Sequence, residues 1–191
     1  MSAELKKEIS HCQLCARHLP LGPRPIVRFS PTSRLLIVGQ APGSKVHASG
    51  ISWDDDSGDR LRGWLGLDKD VFYDEARVAL VPMGFCYPGR RAGGDAPPRP
   101  ECAPRWHGEV LSALPSDRLT ILAGIHAQHY YLPAERRLSM TERVRRFREY
   151  MPQFFPLPHP AWRSRIWMQK NPWFEDEVVP VLREEVRRVL S

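Results

Sequence analysis

The chain has 191 residues, enough for a substantial core, and its 42% hydrophobic and 26% charged content is a globular balance, unlike that of a disordered or fibrous chain. A net charge of +6 and an isoelectric point of about 9.4 favour polyanionic partners, or serve solubility alone. No apolar run is long enough to span a bilayer, and the N-terminal Met1-Ser2-Ala3-Glu4-Leu5-Lys6-Lys7-Glu8 lacks the apolar centre of a secretion signal. No membrane partner and a cytoplasmic location are therefore expected, with residues 1–191 as one domain.

Residues 4–10 are predicted to form a short helix leading into a CxxC knuckle at Cys12 and Cys15. The other cysteines are Cys86 and Cys102. In a reducing compartment cysteines serve metals or catalysis more often than disulfides. The long gap after Cys15 argues against a zinc ribbon, whose second pair is also CxxC. It suits four thiolates gathered by the fold around one cluster. Pro20 to Pro31 reads as extended loop.

Arg34–Val38 is predicted as the first strand, a short apolar run ended by turn residues and buried on both faces. It runs directly into Gly39-Gln40-Ala41-Pro42-Gly43. Such a loop, at the carboxyl end of a parallel strand, lies where open α/β sheets bind ligands. Gly39 and Gly43 permit close backbone approach, and Pro42 fixes the turn. Lys45 to Asp56 is polar, with Gly50, Trp53 and the aspartates Asp54, Asp55 and Asp56. It reads as an active-site loop or a solvated connection. A helix is predicted from an N-cap at Ser57, with Leu61, Trp64 and Leu65 on its apolar face.

Val78–Val81 is the second predicted strand. Met83 to Pro104 reads as a long loop rich in glycine, proline and arginine, bracketed by Cys86 and Cys102. Its Arg90, Arg91 and Arg99 suit phosphates or solvent. A helix over 104–114 turns Trp106, Val110 and Leu111 inward. Leu119–Gly124 forms a third strand, followed by a helix from Ala127 to Tyr131. Met140–Tyr150 is predicted as a basic helix whose Arg143, Arg145, Arg146 and Arg148 face a polyanion or solvent. Gln153–Pro156 is a fourth strand, opening into Leu157-Pro158-His159-Pro160-Ala161-Trp162-Arg163. The last helix runs to Leu190 with Val178, Leu182, Val186 and Val189 on one face, and Pro180 kinks it or marks its start. This strand–helix alternation predicts an α/β fold, a three-layer α/β/α sandwich around a four-stranded, mainly parallel sheet.

The loops Gly39-Gln40-Ala41-Pro42-Gly43 and His159-Pro160-Ala161, in this order and together with the four cysteines, resemble the motifs of the uracil-DNA glycosylase superfamily. The likeness is nearest to its iron–sulfur-containing family 4 and spans residue 12 to the end of the second motif. The resemblance implies a monomeric DNA repair enzyme that flips uracil out of DNA and hydrolyses its N-glycosidic bond. It implies His159 as the hydrogen-bond donor to the leaving base and Gln40 as its catalytic neighbour. It implies a base pocket of Gly39, Ala41, Pro42, Gly43 and a stacking Trp53, with His47 and Asp55 as helpers for the attacking water. Trp162 and Arg163 would meet DNA. Cys12, Cys15, Cys86 and Cys102 fall where family 4 holds a [4Fe–4S] cluster, with zinc as the alternative.

The chain departs from the family pattern at four places. Its best-known members carry aspartate at Ala41, although families 4 and 5 also show alanine there; family 4 has glutamate at Gln40, a base-reading asparagine stands at Pro82, and serine stands at Ala161. Two other functions are therefore carried forward. One is a glycosylase for hypoxanthine or xanthine, and the other is a DNA- or uracil-binding protein with little catalysis.

Overall fold

The computed structural model describes residues 2–191. The strands are β1 (Leu35–Val38), β2 (Val78–Leu80), β3 (Arg90–Arg91), β4 (Gly94–Asp95), β5 (Leu119–Ala123) and β6 (Phe154–Leu157). The helices are α1 (Ser2–Ser10), α2 (Ser44–Ser49), α3 (Asp56–Leu65), α4 (Lys69–Phe72), α5 (Cys102–Ser112), α6 (Ile125–Tyr131), α7 (Met140–Arg145), α8 (Ser164–Lys170) and α9 (Val179–Leu190).

Four strands form one wholly parallel sheet in the order β2-β1-β5-β6, with Leu35 opposite both Val78 and Leu119 and Thr120 opposite Phe154. Every residue of β1, β2 and β5 is buried, as both faces of the sheet are covered. Leu35 and Ile37 pack with Leu61, Trp64, Phe174 and Leu182 on one face. Leu36 and Val38 pack with Leu5, Ile9, Trp106 and Val110 on the other. The expected three-layer α/β/α architecture results, around four parallel strands. The chain goes from β1 to β2 on one flank and then crosses to β5 on the other. The carboxyl ends beside β1 are thus a topological switch point, where such sheets form ligand crevices.

Several elements differ from the sequence expectation, each for a local reason. The polar stretch after Gly43 contains α2, ended by Gly50 in the left-handed conformation (φ 76°). Asp55, not Ser57, caps α3, its side chain accepting from the Gly58 N–H at 2.9 Å. The loop between Cys86 and Cys102 folds back into a β3–β4 hairpin, with Arg90 opposite Asp95. The 140–150 helix stops at Arg145 and continues as a 3-10 turn, Phe147–Glu149. Arg143 does not face outward. It is fully buried, donating to the Gln128 Oε1 at 2.9 Å and to the carbonyls of Glu135 and Leu138 at 3.0 and 2.6 Å. Helix α8 follows the last motif unforeseen, and Pro180 stands at the second residue of α9, directly after a π-helical turn, Phe174–Val178, that runs into the helix. No helix among the described residues is long and apolar enough to cross a membrane.

Candidate active site

A cavity of about 390 Å³ opens at the carboxyl ends of the sheet strands. The loop after β1 supplies Gly39, Gln40, Ala41, Pro42 and Gly43, and the loop after β6 supplies His159, Ala161, Trp162 and Arg163. Two stretches more than a hundred residues apart therefore form one wall, because their strands end on the same edge of a parallel sheet. The first loop is held by a continuation of the β2 segment, with the Met83 and Gly84 N–H groups donating to the Gly39 and Gln40 carbonyls at 2.9 and 3.0 Å.

Trp53 is the aromatic side of the cavity. Its backbone is left-handed (φ 59°), a strained conformation for tryptophan. The surroundings enforce it. Gly39 leaves room for the indole, since a Cβ there would stand 2.5 Å from Trp53 Cζ2. Gly58 admits the Trp53 carbonyl, which would lie 1.8 Å from an added Cβ. The indole sits 5.9 Å from the His159 ring, tilted by 32°.

His159 is half-buried on the cavity wall. Burial pushes its pKa from 6.5 down to about 4, the nearby Asp55 carboxylate opposing the shift and His126 adding to it. The imidazole is neutral at pH 7, with one ring N–H to donate. Gly124, at φ 94° after β5, lies against it, its added Cβ falling 3.1 Å from His159 Cβ. The peptides that follow His159 are clamped. Arg60 Nη1 donates to the Pro160 and Ala161 carbonyls at 3.1 and 2.6 Å, and the Ser164 hydroxyl donates to the Ala161 carbonyl at 2.5 Å.

Residues 26–183 match the family model described as the uracil DNA glycosylase superfamily. The chain belongs to that superfamily. It is a DNA glycosylase, a hydrolase of N-glycosidic bonds in DNA, and the cavity unites the two loops that carried the resemblance.

The glycosylase brings most of the expected site residues together, with one exception. His47 does not line the cavity; its neighbour Val46 does. One step along α2 turns His47 away, to a place 5.7 Å from the Tyr87 ring with its Nδ1 buried and unpaired. Asp55 does line the cavity, while also capping α3. Trp162 is 67% exposed at the rim, and the Arg163 guanidinium lies 5.3 Å over its ring. Arg163 also reaches across the mouth to donate to the Gly93 carbonyl at 3.0 Å.

Three contributors were not anticipated. Arg60 occupies a position in α3 that reads as one more charged residue on a solvated face. Asp95 and its hairpin lie in a stretch read as irregular loop. His107, only 1% exposed, bridges the Tyr131 hydroxyl (2.6 Å) and the carbonyl of the wall residue Pro82 (3.0 Å). Its signal was the i+3 and i−4 relation to Val110 and Ala103 within a helix whose Trp106 and Val110 point inward.

A second, smaller cavity gathers Cys12, Cys15, Cys86 and Cys102, all free thiols, among Leu14, Leu19, Pro25 and Phe85. Burial raises the thiol pKa of Cys86 to about 11 and of Cys102 to about 12, the neighbouring cysteines adding to both shifts. The Phe85 N–H points at Cys102 Sγ (3.3 Å) and the Trp106 indole N–H at Cys12 Sγ (3.4 Å). Among the described residues no group of three or more His, Cys, Asp or Glu is placed to hold a single metal ion. Four cysteines lining one cavity, with N–H donors aimed at two of the sulfurs, are a donor set whose chemistry suits the thiolate ligation of an iron–sulfur cluster.

Proposed function

We propose that this DNA glycosylase excises uracil, with His159 as the donor to the departing base. The observation that carries this reading is the neutral His159 imidazole, fixed on the wall of one cavity with Gln40 and Trp53. Cleavage of the N-glycosidic bond leaves charge on the base oxygens and a cationic sugar. A fixed N–H is stronger toward the oxyanion than toward the ground-state carbonyl, so it lowers the barrier. Trp53 offers a ring face to the flipped base, and Gln40 offers both a donor and an acceptor to its edge. Exposed Trp162 is placed to fill the stack that the base leaves, and Arg163 to meet phosphate.

Cys12, Cys15, Cys86 and Cys102 would hold a [4Fe–4S] cluster with a structural role. When bound it supplies four iron–thiolate bonds, tying the N-terminal knuckle to both ends of the hairpin loop. A second reading, excision of hypoxanthine or xanthine, is favoured by Pro82, which brings no side-chain donor or acceptor to the wall and whose carbonyl is taken by His107.

The test is alkali-revealed strand cleavage of oligonucleotides bearing one uracil, hypoxanthine or xanthine, using wild type and His159→Ala. Excision of uracil above the other two, falling about 10²–10³-fold in the variant, is expected. Preference for a purine lesion would move the substrate to the second reading. Undiminished cleavage by His159→Ala would remove His159 from the mechanism.

A further inference from the structure

Hydrolysis also needs a water at the sugar carbon, and the residues after β1 bring no group that can take its proton. Ala41 has no polar atom, and the Gln40 amide is not a base. Only two carboxylates line the cavity among the described residues, Asp55 and Asp95. Asp55 Oδ1 is engaged in capping α3. Asp95 is different in origin and setting. It is carried into the cavity by the β3–β4 hairpin, which folds back through Gly93 (φ 88°) and Gly94 (φ 152°). The Ala96 N–H closes the hairpin on the Gly89 carbonyl at 2.8 Å, and Arg163 holds its tip through Gly93.

The Asp95 carboxylate has one hydrogen-bond partner and a close glycine neighbour. Tyr87 donates its hydroxyl to Oδ1 at 3.4 Å. Oδ2 lies 3.2 Å from the point where a Cβ on Gly43 would stand, so a side chain there would crowd the carboxylate. Among the described residues no cation forms a salt bridge with it. Three properties thus coincide: an acceptor with spare lone pairs, an open approach from solvent, and a place in the wall beside the first loop.

We propose that Asp95 is the catalytic base of this glycosylase, accepting a proton from the water that attacks the sugar. The step balances. The water oxygen bonds to C1′ as the C1′–N bond breaks and its electron pair passes to the base. One water proton moves to the Asp95 carboxylate and then to the departed base. The products are an abasic sugar, the neutral free base and a regenerated carboxylate. His159 holds the negative end of the breaking bond, and Asp95 serves the positive end. Asp95 thereby replaces, from a different loop, the aspartate that other members of the superfamily carry at position 41.

This inference rests on the glycosylase reading, and its test separates the two. Single-turnover excision is measured for wild type, Asp95→Asn and Asp95→Glu, on whichever deaminated base wild type removes. Half-saturating enzyme concentration and thermal unfolding are recorded for each. Asp95→Asn is expected to lose about 10²-fold or more in maximal rate. Its half-saturating concentration and its unfolding should stay within threefold and within a few degrees. Asp95→Glu should recover part of the rate. A maximal rate within threefold of wild type, or a loss matched by equally weakened binding, overturns the assignment and leaves the glycosylase reading standing. Wild type that excises no deaminated base overturns both.

Discussion

His107 offers the sharpest test of how the cavity wall is built. Its Nε2 faces the Pro82 carbonyl, which can only accept, so the proton sits on Nε2 and Nδ1 accepts from the Tyr131 hydroxyl. Phe85 stacks on one side and Tyr130 lies edge-on, so no carboxylate compensates a charged ring. Burial accordingly pushes the pKa from 6.5 down to about 4. The sign follows from proton counting. Between these values the unfolded chain binds a proton that the folded chain refuses, so stability is complete above pH 6.5 and is lost as the pH falls toward 4. A shift of this size corresponds to ~2 kcal/mol between pH 8 and pH 5 from His107 alone. Denaturant unfolding at pH 5, 6, 7 and 8, analysed with a common slope, measures it. His107→Gln is expected to be less stable at pH 8 but to shed ~2 kcal/mol of the pH dependence. An unchanged pH dependence in the variant would refute the buried, neutral imidazole.

Two further outcomes are expected. Arg60→Met removes charge-assisted hydrogen bonds to the two carbonyls after His159. It should lower the maximal excision rate about 10-fold or more while Arg60→Lys restores part of it, as expected for a group that orients the donor; identical rates would show that the loop holds itself. Protein purified without oxygen should show broad iron–thiolate absorption and about four irons per chain. Loss of that absorption in Cys102→Ala would agree, whereas colourless protein carrying one zinc would remove the iron assignment.

The sheet was legible because its strands are buried on both faces and so read as unbroken apolar runs, β1 and β5 above all. The carboxyl-end loops were legible for the same reason, since a glycine-rich or proline-rich turn must follow where such a run stops. Residues defined by tertiary partners were not. Arg143 reads as a surface charge, yet it is buried because Gln128 and two backbone carbonyls solvate it. Asp55 and Ser57 are both good caps, and the choice falls to Asp55 because Trp53 must turn sharply just before it. The hairpin carrying Asp95 is two residues per strand, too short for any alternation to register. His47 sits one residue from a wall position, in a stretch that reads as loop and folds as α2, so no periodicity in the sequence oriented its side chain.

The contrast between the two ends of the cavity bears on substrate choice. The Pro82 wall offers no donor, because the backbone N–H is absent, and its carbonyl already accepts from His107. That wall excludes by shape rather than reading by hydrogen bonds. A pocket that discriminates chiefly by shape separates similar ligands weakly, whereas one with a dedicated partner for each polar edge separates them strongly. In the proposed mechanism Gln40 is then the principal edge reader, and its amide can rotate to serve either an N–H or a carbonyl. In that same proposed mechanism the chemistry rests on the Arg60-clamped His159 loop and is indifferent to which base leaves, provided that an oxygen faces the imidazole. Base preference should therefore respond more to substitutions at Gln40 than to substitutions at Pro82, while the rate for every base should respond to His159.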